Sequence, residues 1–453
     1  MERVTTTGGR RVAVVCADRI GARMAGPAIR AVELARALSN DHRVTLMGEA
    51  SESPFTDGSV ALCGATADAA SRVAADSEVI IFQGNALQRW PQLRNAQAAL
   101  IADLYCPFPL ELVETGLTGL AADDWAASVH AARLAVDQLL VADHFLCATE
   151  RQADLWIGAL MAVGRINPVR FPQSGSSRLD ALFTVVPFGV PATRPQRRSR
   201  PLRERFGLGA DVLVLLWGGG LYDWFDPETI VHAVARAAAE GVPAHLVFMG
   251  GAHPSAVASH AQRLRQLGGL ADRLGVRDRI HFNDGWVPYD ERFDFFADAD
   301  IGVSAHRDTL ETRYSFRTRV LDYLWAGLPT ILTEGDHFAA MSVEQGFGRA
   351  ARFGNVDDWV ASLRDLALPA TRALAARSAV CAAETLRWDD IGRTLSHTCA
   401  VVSPAVDRPL VRNTRLAIAA REVEPLVDRA LRVFRRGGLR GLGEAVARRL
   451  RSG

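Results

Sequence analysis

Lysine is absent from all 453 residues, so the 52 basic side chains are arginines. A G+C-rich genome is the plain account, but the bias still constrains chemistry. Any phosphate-binding device here must be built from arginine, backbone N–H groups or helix ends. Paired cysteines are lacking too. Cys16, Cys63, Cys106, Cys147, Cys381 and Cys399 show no short paired spacing. That argues against a disulfide frame or a zinc site and fits the reduced thiols of a cytoplasmic protein. No apolar run approaches the roughly 18 residues needed to cross a bilayer. Met1 to Arg11 is polar and lacks the apolar core of a signal peptide. The formal net charge is only +1, which argues against a whole-chain nucleic-acid binder.

What is present is ordinary globular composition, 49% apolar and 23% charged, in a chain long enough for two hydrophobic cores. Short apolar runs alternate with helical periodicity. Strands are expected at Val12–Cys16, Val44–Met47, Val79–Phe82, Leu100–Asp103, Phe145–Ala148 and Phe183–Val186, with helices at Pro27–Leu38 and Trp125–Val141. Pro191 to Arg205, rich in Pro and Arg, reads as a linker. A second alternation follows, with strands near Val212–Trp217, Ala244–Met249, Ile280–Phe282, Ile301–Ser304 and Thr330–Leu332. The expected architecture is α/β: domains at 1–190 and 206–400, a linker at 191–205 and a tail at 401–453. Each domain carries a parallel sheet covered by helices, and ligands bind beyond the strand ends in the cleft between the two.

Three glycine-bearing or charged loops are candidate sites. After the first strand come Gly21, Arg23 and Gly26, with Pro27 at a helix start. The spacing is not that of a dinucleotide fingerprint, and no acidic residue is suitably placed at the end of the second strand. The second loop is Trp217-Gly-Gly-Gly-Leu-Tyr-Asp-Trp-Phe-Asp-Pro227, in which Gly219 and Gly220 allow close approach of a ligand. A tight turn plugged by aromatics is its bland alternative. The third runs from Glu311 to Asp322. Ser315 is expected to cap a helix that ends at Gly327, with Arg317 and Arg319 in its first turn. Arginine opposes the helix dipole there, a conflict that a ligand phosphate would resolve. Pairing with Glu311 or Asp308 is the rival account. Asp322, two turns in, can accept hydrogen bonds from sugar hydroxyls.

The stretch from Gly302 to Glu334 resembles the nucleotide-sugar site of the retaining, family-four glycosyltransferases of the GT-B fold. Ser315-Phe316 and Ala326-Gly-Leu-Pro329 match that pattern, and Asp322 falls on its second acidic position. Gly26-Pro-Ala-Ile-Arg30, His245 to Gly251 and Asp284-Gly-Trp-Val-Pro288 resemble three further motifs of that family. The resemblance implies two Rossmann-like domains across a cleft and a nucleoside diphosphate sugar as donor, with no metal required. It implies donor contacts from Gly219, Gly220, Trp286, Val287, Ser315, Phe316, Arg317, Thr318, Arg319 and Asp322, and acceptor-side contacts from Gly21, Arg23 and Gly26. Three departures stand out. Tyr314 occupies the first acidic position, so Glu311 is the candidate substitute. The Arg and Lys that usually follow the first strand of the second domain are missing, leaving Arg317 and Arg319 to compensate. No histidine matches the usual one in the first domain, and Asp103 is the candidate catalytic residue in its place.

The Asp298-Ala-Asp300 pair mimics a metal motif of another fold, but its place before a strand reads as a structural turn. The eleven histidines form no metal-ligand pair beside carboxylates. From Asp407 to Gly453 there are twelve arginines against five acidic residues, which leaves residues 1–406 at about minus six. This tail reads either as a basic amphipathic element for an anionic membrane at the inner face of the plasma membrane or as a solvated or domain-packing helix pair. The leading expectation is transfer of a sugar to a cell-envelope glycan or lipid-linked acceptor, without nucleic acid. The alternatives are a non-catalytic nucleotide-sugar-binding partner and a nucleotide-sugar epimerase of the same fold.

Overall fold

The computed structural model describes residues 9–22, 24–50, 60–115, 122–170, 182–250, 258–283 and 285–411. Among these, the chain forms two parallel sheets. The first contains β1 (Arg11–Ile20), β2 (Arg43–Ala50), β3 (Ala61–Cys63), β4 (Val79–Phe82), β5 (Ala99–Asp103), β6 (His144–Cys147) and β7 (Phe183–Val185). Their order is β3-β2-β1-β4-β5-β6-β7. The second contains β8 (Leu213–Trp217), β9 (Ala244–Phe248), β10 (Ile280–Phe282), β11 (Ile301–Ser304), β12 (Thr330–Thr333) and β13 (Gly348–Ala351), in the order β10-β9-β8-β11-β12-β13. The inner strands β4, β5, β6, β8, β11 and β12 are buried along their whole length. Helices cover both faces, which is why these strands read as continuous apolar runs.

Both sheets change direction at one strand pair, β1/β4 in the first and β8/β11 in the second. The carboxyl ends at these switch points are where ligands bind in such sheets. Here they face each other. Tyr289 N–H donates to the Ala22 carbonyl at 3.0 Å, and Gln152 Nε2 bridges the Tyr105 and Tyr314 carbonyls, each at 2.8 Å. Phe188 stacks on Phe316 across the same seam.

The arginine-rich stretch between the sheets is tied to the second. Arg194 donates to the Ala326 carbonyl, and the Arg198 amide donates to Asp294 at 2.9 Å. A short helix, Pro201–Phe206, closes it. Asp298 accepts the Leu202 and Arg203 amides at the start of that helix, and Asp300 accepts from Arg203 and the Val214 amide. Both carboxylates of Asp298-Ala-Asp300 are therefore engaged in structural hydrogen bonds.

After the second sheet, the Trp388–Val401 helix crosses back onto the Gly26–Leu38 helix, close enough that a methyl on Gly392 would lie 2.8 Å from Ala37 Cβ. Residues 405–411 then dock on the first sheet. Asp407 accepts from Arg165 and Arg170 at 3.1 and 3.2 Å, and Arg408 pairs with Asp143. The remainder of the basic tail, 412–453, lies outside the described residues. No helix among the described residues is long and apolar enough to cross a membrane.

Candidate active site in the interdomain cleft

A cavity of about 430 Å³ opens where the two sets of strand ends meet. That volume lies within the range of small-ligand pockets. Its wall on the second-sheet side begins with the Gly218–Gly220 loop after β8. Packing leaves these glycines little latitude. A Cβ on Gly218 would lie 2.9 Å from the Phe296 ring, Gly219 holds φ at +78°, and a Cβ on Gly250 would lie 2.5 Å from the Gly219 carbonyl oxygen. The Tyr323 hydroxyl accepts the Gly218 N–H at 2.8 Å and fixes the loop from below.

The third candidate segment forms two helices, Leu310–Tyr314 and Thr318–Ala326. This corrects the expectation for Ser315. Its hydroxyl donates back to the Thr312 carbonyl at 3.1 Å, so it closes the first helix and does not cap the second. The second helix begins after Arg317 with no side-chain cap and no acidic residue in its first turn. Its end is as expected, with Gly327 left-handed at φ +70°.

Arg317 and Arg319 turn out to be in different situations. Arg317 is buried, and its two terminal nitrogens grip Glu311 at 2.8 and 2.6 Å. Glu311 is itself 1% exposed. Its candidate role as a catalytic carboxylate meets a bidentate ion pair already formed, the rival account for Arg317. Arg319 forms no such pair with an acidic side chain among the described residues. One terminal nitrogen donates to the Gly220 carbonyl at 2.9 Å, the guanidinium lies 4.4 and 4.2 Å from the Trp217 and Phe225 ring centres, and Nη1 has no hydrogen-bond partner. Burial lowers its pKa to about 10, which still leaves it charged at neutral pH. A buried guanidinium nitrogen left without a hydrogen-bond partner is costly, and an anion in the adjoining cavity would offset that cost.

Asp322 lines the far end with Trp286, Val287, Tyr289 and Arg292. Arg292 donates to it at 3.1 Å while lying 3.6 Å over the Tyr289 ring. Burial pushes the Asp322 carboxyl up, and Arg292 opposes that shift. Phe316 and Thr318 also line the cavity.

From the first-sheet side, Gly26 lines the cavity and opens the Gly26–Leu38 helix, again without a side-chain cap. Gly21 is buried behind it and does not reach the cavity; Arg23 lies outside the described residues. Asp103 also requires correction. It forms a bidentate pair with Arg30 at 2.7 and 2.8 Å, both side chains are almost fully buried, and Asp103 does not line the cavity. Arg30 is sandwiched by Tyr105 and Phe188 at 4.8 and 4.9 Å. The pair is an internal strut, and Asp103 is not placed to touch a substrate. Sequence reasoning missed Glu111, which does line the cavity from the Phe108–Thr115 helix. No spacing or motif marks it.

No protein-family profile and no curated protein sequence matches this chain. Solved structures do. Sucrose-phosphate synthase from Thermosynechococcus elongatus superposes with a TM-score of 0.63 at 15% identity, over 86% of this chain and 98% of that one. Anabaena HepE, solved in complex with UDP-glucose, gives 0.60 at 14% identity over 87% and 100%. WaaG, a glycosyltransferase involved in lipopolysaccharide biosynthesis, gives 0.59 at 16% identity over 86% and 100%. The fold is GT-B. At such identities the likeness speaks for the fold, and the chemistry has to be argued from the cleft itself.

Proposed function

We propose that this chain is a glycosyltransferase that moves a sugar from a nucleoside diphosphate donor to a glycan or lipid-linked acceptor of the cell envelope, with retention. The observation that carries the reading is the convergence on one cleft of Arg319, with an unpartnered nitrogen, the Gly218–Gly220 loop and two uncapped helix N-termini. Together they form a preorganised site for the developing diphosphate charge, the main demand of such a reaction. Asp322 would accept hydrogen bonds from sugar hydroxyls of the nucleotide, and the Trp286–Val287 backbone would hold the base. The complexes of a GT-B neighbour, HepE, with UDP and UDP-glucose support that choice of donor. Retention and the envelope role follow the family resemblance and the likeness to WaaG.

In this reading residues 1–190 form the acceptor-side domain, 206–400 the nucleotide-sugar-binding domain and 191–205 the connection. A thermal-shift panel of UDP, GDP, dTDP and ADP with their sugars tests it. At least one nucleotide is expected to raise the unfolding temperature, and no response to any of them would remove the proposal. Asp322→Ala is expected to abolish that response while leaving the fold intact.

A second reading has a specific observation behind it. Asp103 and Glu311, the carboxylates best placed by sequence, are both held in bidentate ion pairs. A non-catalytic nucleotide-sugar-binding partner would show stabilisation by nucleotide without donor hydrolysis or transfer. The basic tail would hold either protein at an anionic membrane. Truncation after Val411, which keeps Asp407 and Arg408 docked, is expected to abolish liposome co-sedimentation; undiminished binding would refute the role.

A further inference from the structure

One segment of the second-sheet side reaches across the seam and returns to the cavity. It follows β10 and carries Trp286, Val287, Tyr289 and Arg292, all of which line the cleft. Tyr289 is its point of contact with the first-sheet side. The Tyr289 amide donates to the Ala22 carbonyl at 3.0 Å, and the hydroxyl donates to Glu33 Oε1 at 3.1 Å. Glu33 lies on the Gly26–Leu38 helix, is 7% exposed, and also accepts from Arg36 at 2.6 Å.

Tyr289 in turn holds Arg292. The guanidinium lies 3.6 Å over the Tyr289 ring and donates to the Tyr289 carbonyl at 2.6 Å. Arginine is long and flexible, so fixing it takes several contacts, and Tyr289 supplies two of them. Arg292 Nε then donates to Asp322 at 3.1 Å. The contacts form a continuous line, Glu33–Tyr289–Arg292–Asp322, from a helix of one wall to a helix of the other. Its members also act on one another electrostatically. Burial alone would lower the pKa of Arg292, but Asp322, then Tyr289 and Glu33, raise it on balance.

We infer that Tyr289 is a positioning residue: anchored on Glu33 of the opposite wall, it sets Arg292 and through it Asp322, so that nucleotide affinity depends on how the two walls meet. The inference rests on the nucleotide-sugar reading above and adds a coupling between donor binding and the arrangement of the cleft. Asp322 keeps acceptor capacity for the ligand, because a carboxylate has about four lone-pair sites and Arg292 occupies one. The coupling is reciprocal: an arrangement that favours the nucleotide is favoured by it.

The test uses the full chain and whichever of UDP, GDP, dTDP and ADP stabilises it best. Tyr289→Phe removes the bond to Glu33 and keeps a ring beneath Arg292. Calorimetry is expected to show about fivefold weaker nucleotide binding, the low end of typical coupling between sites. Glu33→Ala should cost about as much, and the double variant no more than the worse single, because both changes remove one bond. Hydrogen exchange supplies a readout that a purely structural bond would not move. Nucleotide should slow exchange of the residue-289 amide, the donor to Ala22, and at equal saturation should slow it less in Tyr289→Phe. Unchanged affinity in Tyr289→Phe would overturn the inference. So would a double variant that binds more weakly than either single, or equal slowing of exchange in both proteins. Thermal unfolding checks that each variant folds; where Glu33→Ala does not, Tyr289→Phe and the exchange measurement decide. Lack of stabilisation of the unaltered protein by any nucleotide would instead remove the underlying reading, so the two failures are distinguishable.

Discussion

On the wall built by the second sheet, each acidic side chain that lines the cavity is matched by an arginine, and Arg319 is left over. On the wall built by the first sheet, Glu111 lines the cavity and accepts from Cys106, while the nearby Arg30 is withdrawn into the interior on Asp103. The arginines of this lysine-free chain are thus divided between holding the fold and facing the ligand space. Position in the chain does not separate the two uses. Arg317 and Arg319 stand two residues apart at one helix start, yet one grips Glu111's counterpart across the cleft, Glu311, and the other does not.

The largest effect should come from breaking a strut. Asp103→Ala leaves Arg30 buried at 0% exposure with its charge unmatched. Removing one partner of such a pair costs about 3–5 kcal/mol of folding stability. Urea unfolding is the measurement, and the folded fraction should still bind nucleotide. A variant of unchanged stability that had lost turnover would return Asp103 to the chemistry and erase the contrast between strut and site.

Next comes Arg319→Gln, which removes a charged donor from the cavity wall. Loss of a charge-assisted hydrogen bond of about 1.5–3 kcal/mol corresponds to roughly a 10- to 150-fold weaker nucleotide affinity by calorimetry. Arg317→Gln, by contrast, should act mainly on stability, because it leaves the buried Glu311 unmatched. Equal losses of affinity in both variants would mean that the two arginines share one role.

Why the sequence could not sort these arginines is a matter of distance along the chain. Buried apolar strands announce themselves locally, and β4, β10 and β11 have the bounds that their residues lead one to expect. The strands without such a signal are β3, Ala-Leu-Cys, and β13, Gly-Arg-Ala-Ala, short edge strands that hold no β-branched residue. The Arg30–Asp103 pair spans 73 positions, and nothing near either residue marks it. Ser315 misleads because a serine before an apolar helix resembles a cap even when its hydroxyl turns back to Thr312. Glu111 sits on an ordinary amphipathic helix and gains significance only from what lies across the cleft.

The glycines of the two walls offer a smaller contrast. Gly250→Ala would press a methyl to 2.5 Å from the Gly219 carbonyl oxygen, whereas a methyl on Gly26 would meet nothing within 4 Å. The first substitution should destabilise by about 1–3 kcal/mol and blunt the response to nucleotide as the loop shifts. The second should leave thermal stability within about 0.5 kcal/mol. A destabilised Gly26→Ala protein would show that the first wall is as tightly built as the second.

The smallest effect concerns Asp336, behind the Arg317–Glu311 pair. It accepts the Ala339 amide at 2.8 Å at a helix start, lies 3.8 Å from Arg317 Nε and 3.9 Å from His306, and is 2% exposed. Burial raises its pKa from 3.8 to about 6, and Arg317 opposes the rise. The folded protein therefore holds this proton more tightly than the unfolded chain does. The resulting stabilisation is fully present below about pH 4 and is lost as the pH rises through about 6. Asp336→Asn keeps an oxygen for the Ala339 amide and cannot ionise. Relative to the unaltered protein, the variant should gain stability between about pH 4 and about pH 7, read from urea midpoints at each pH. If the difference is the same at both, Arg317 balances the Asp336 carboxylate as well as Glu311, and the strut beneath the second wall is a three-membered network.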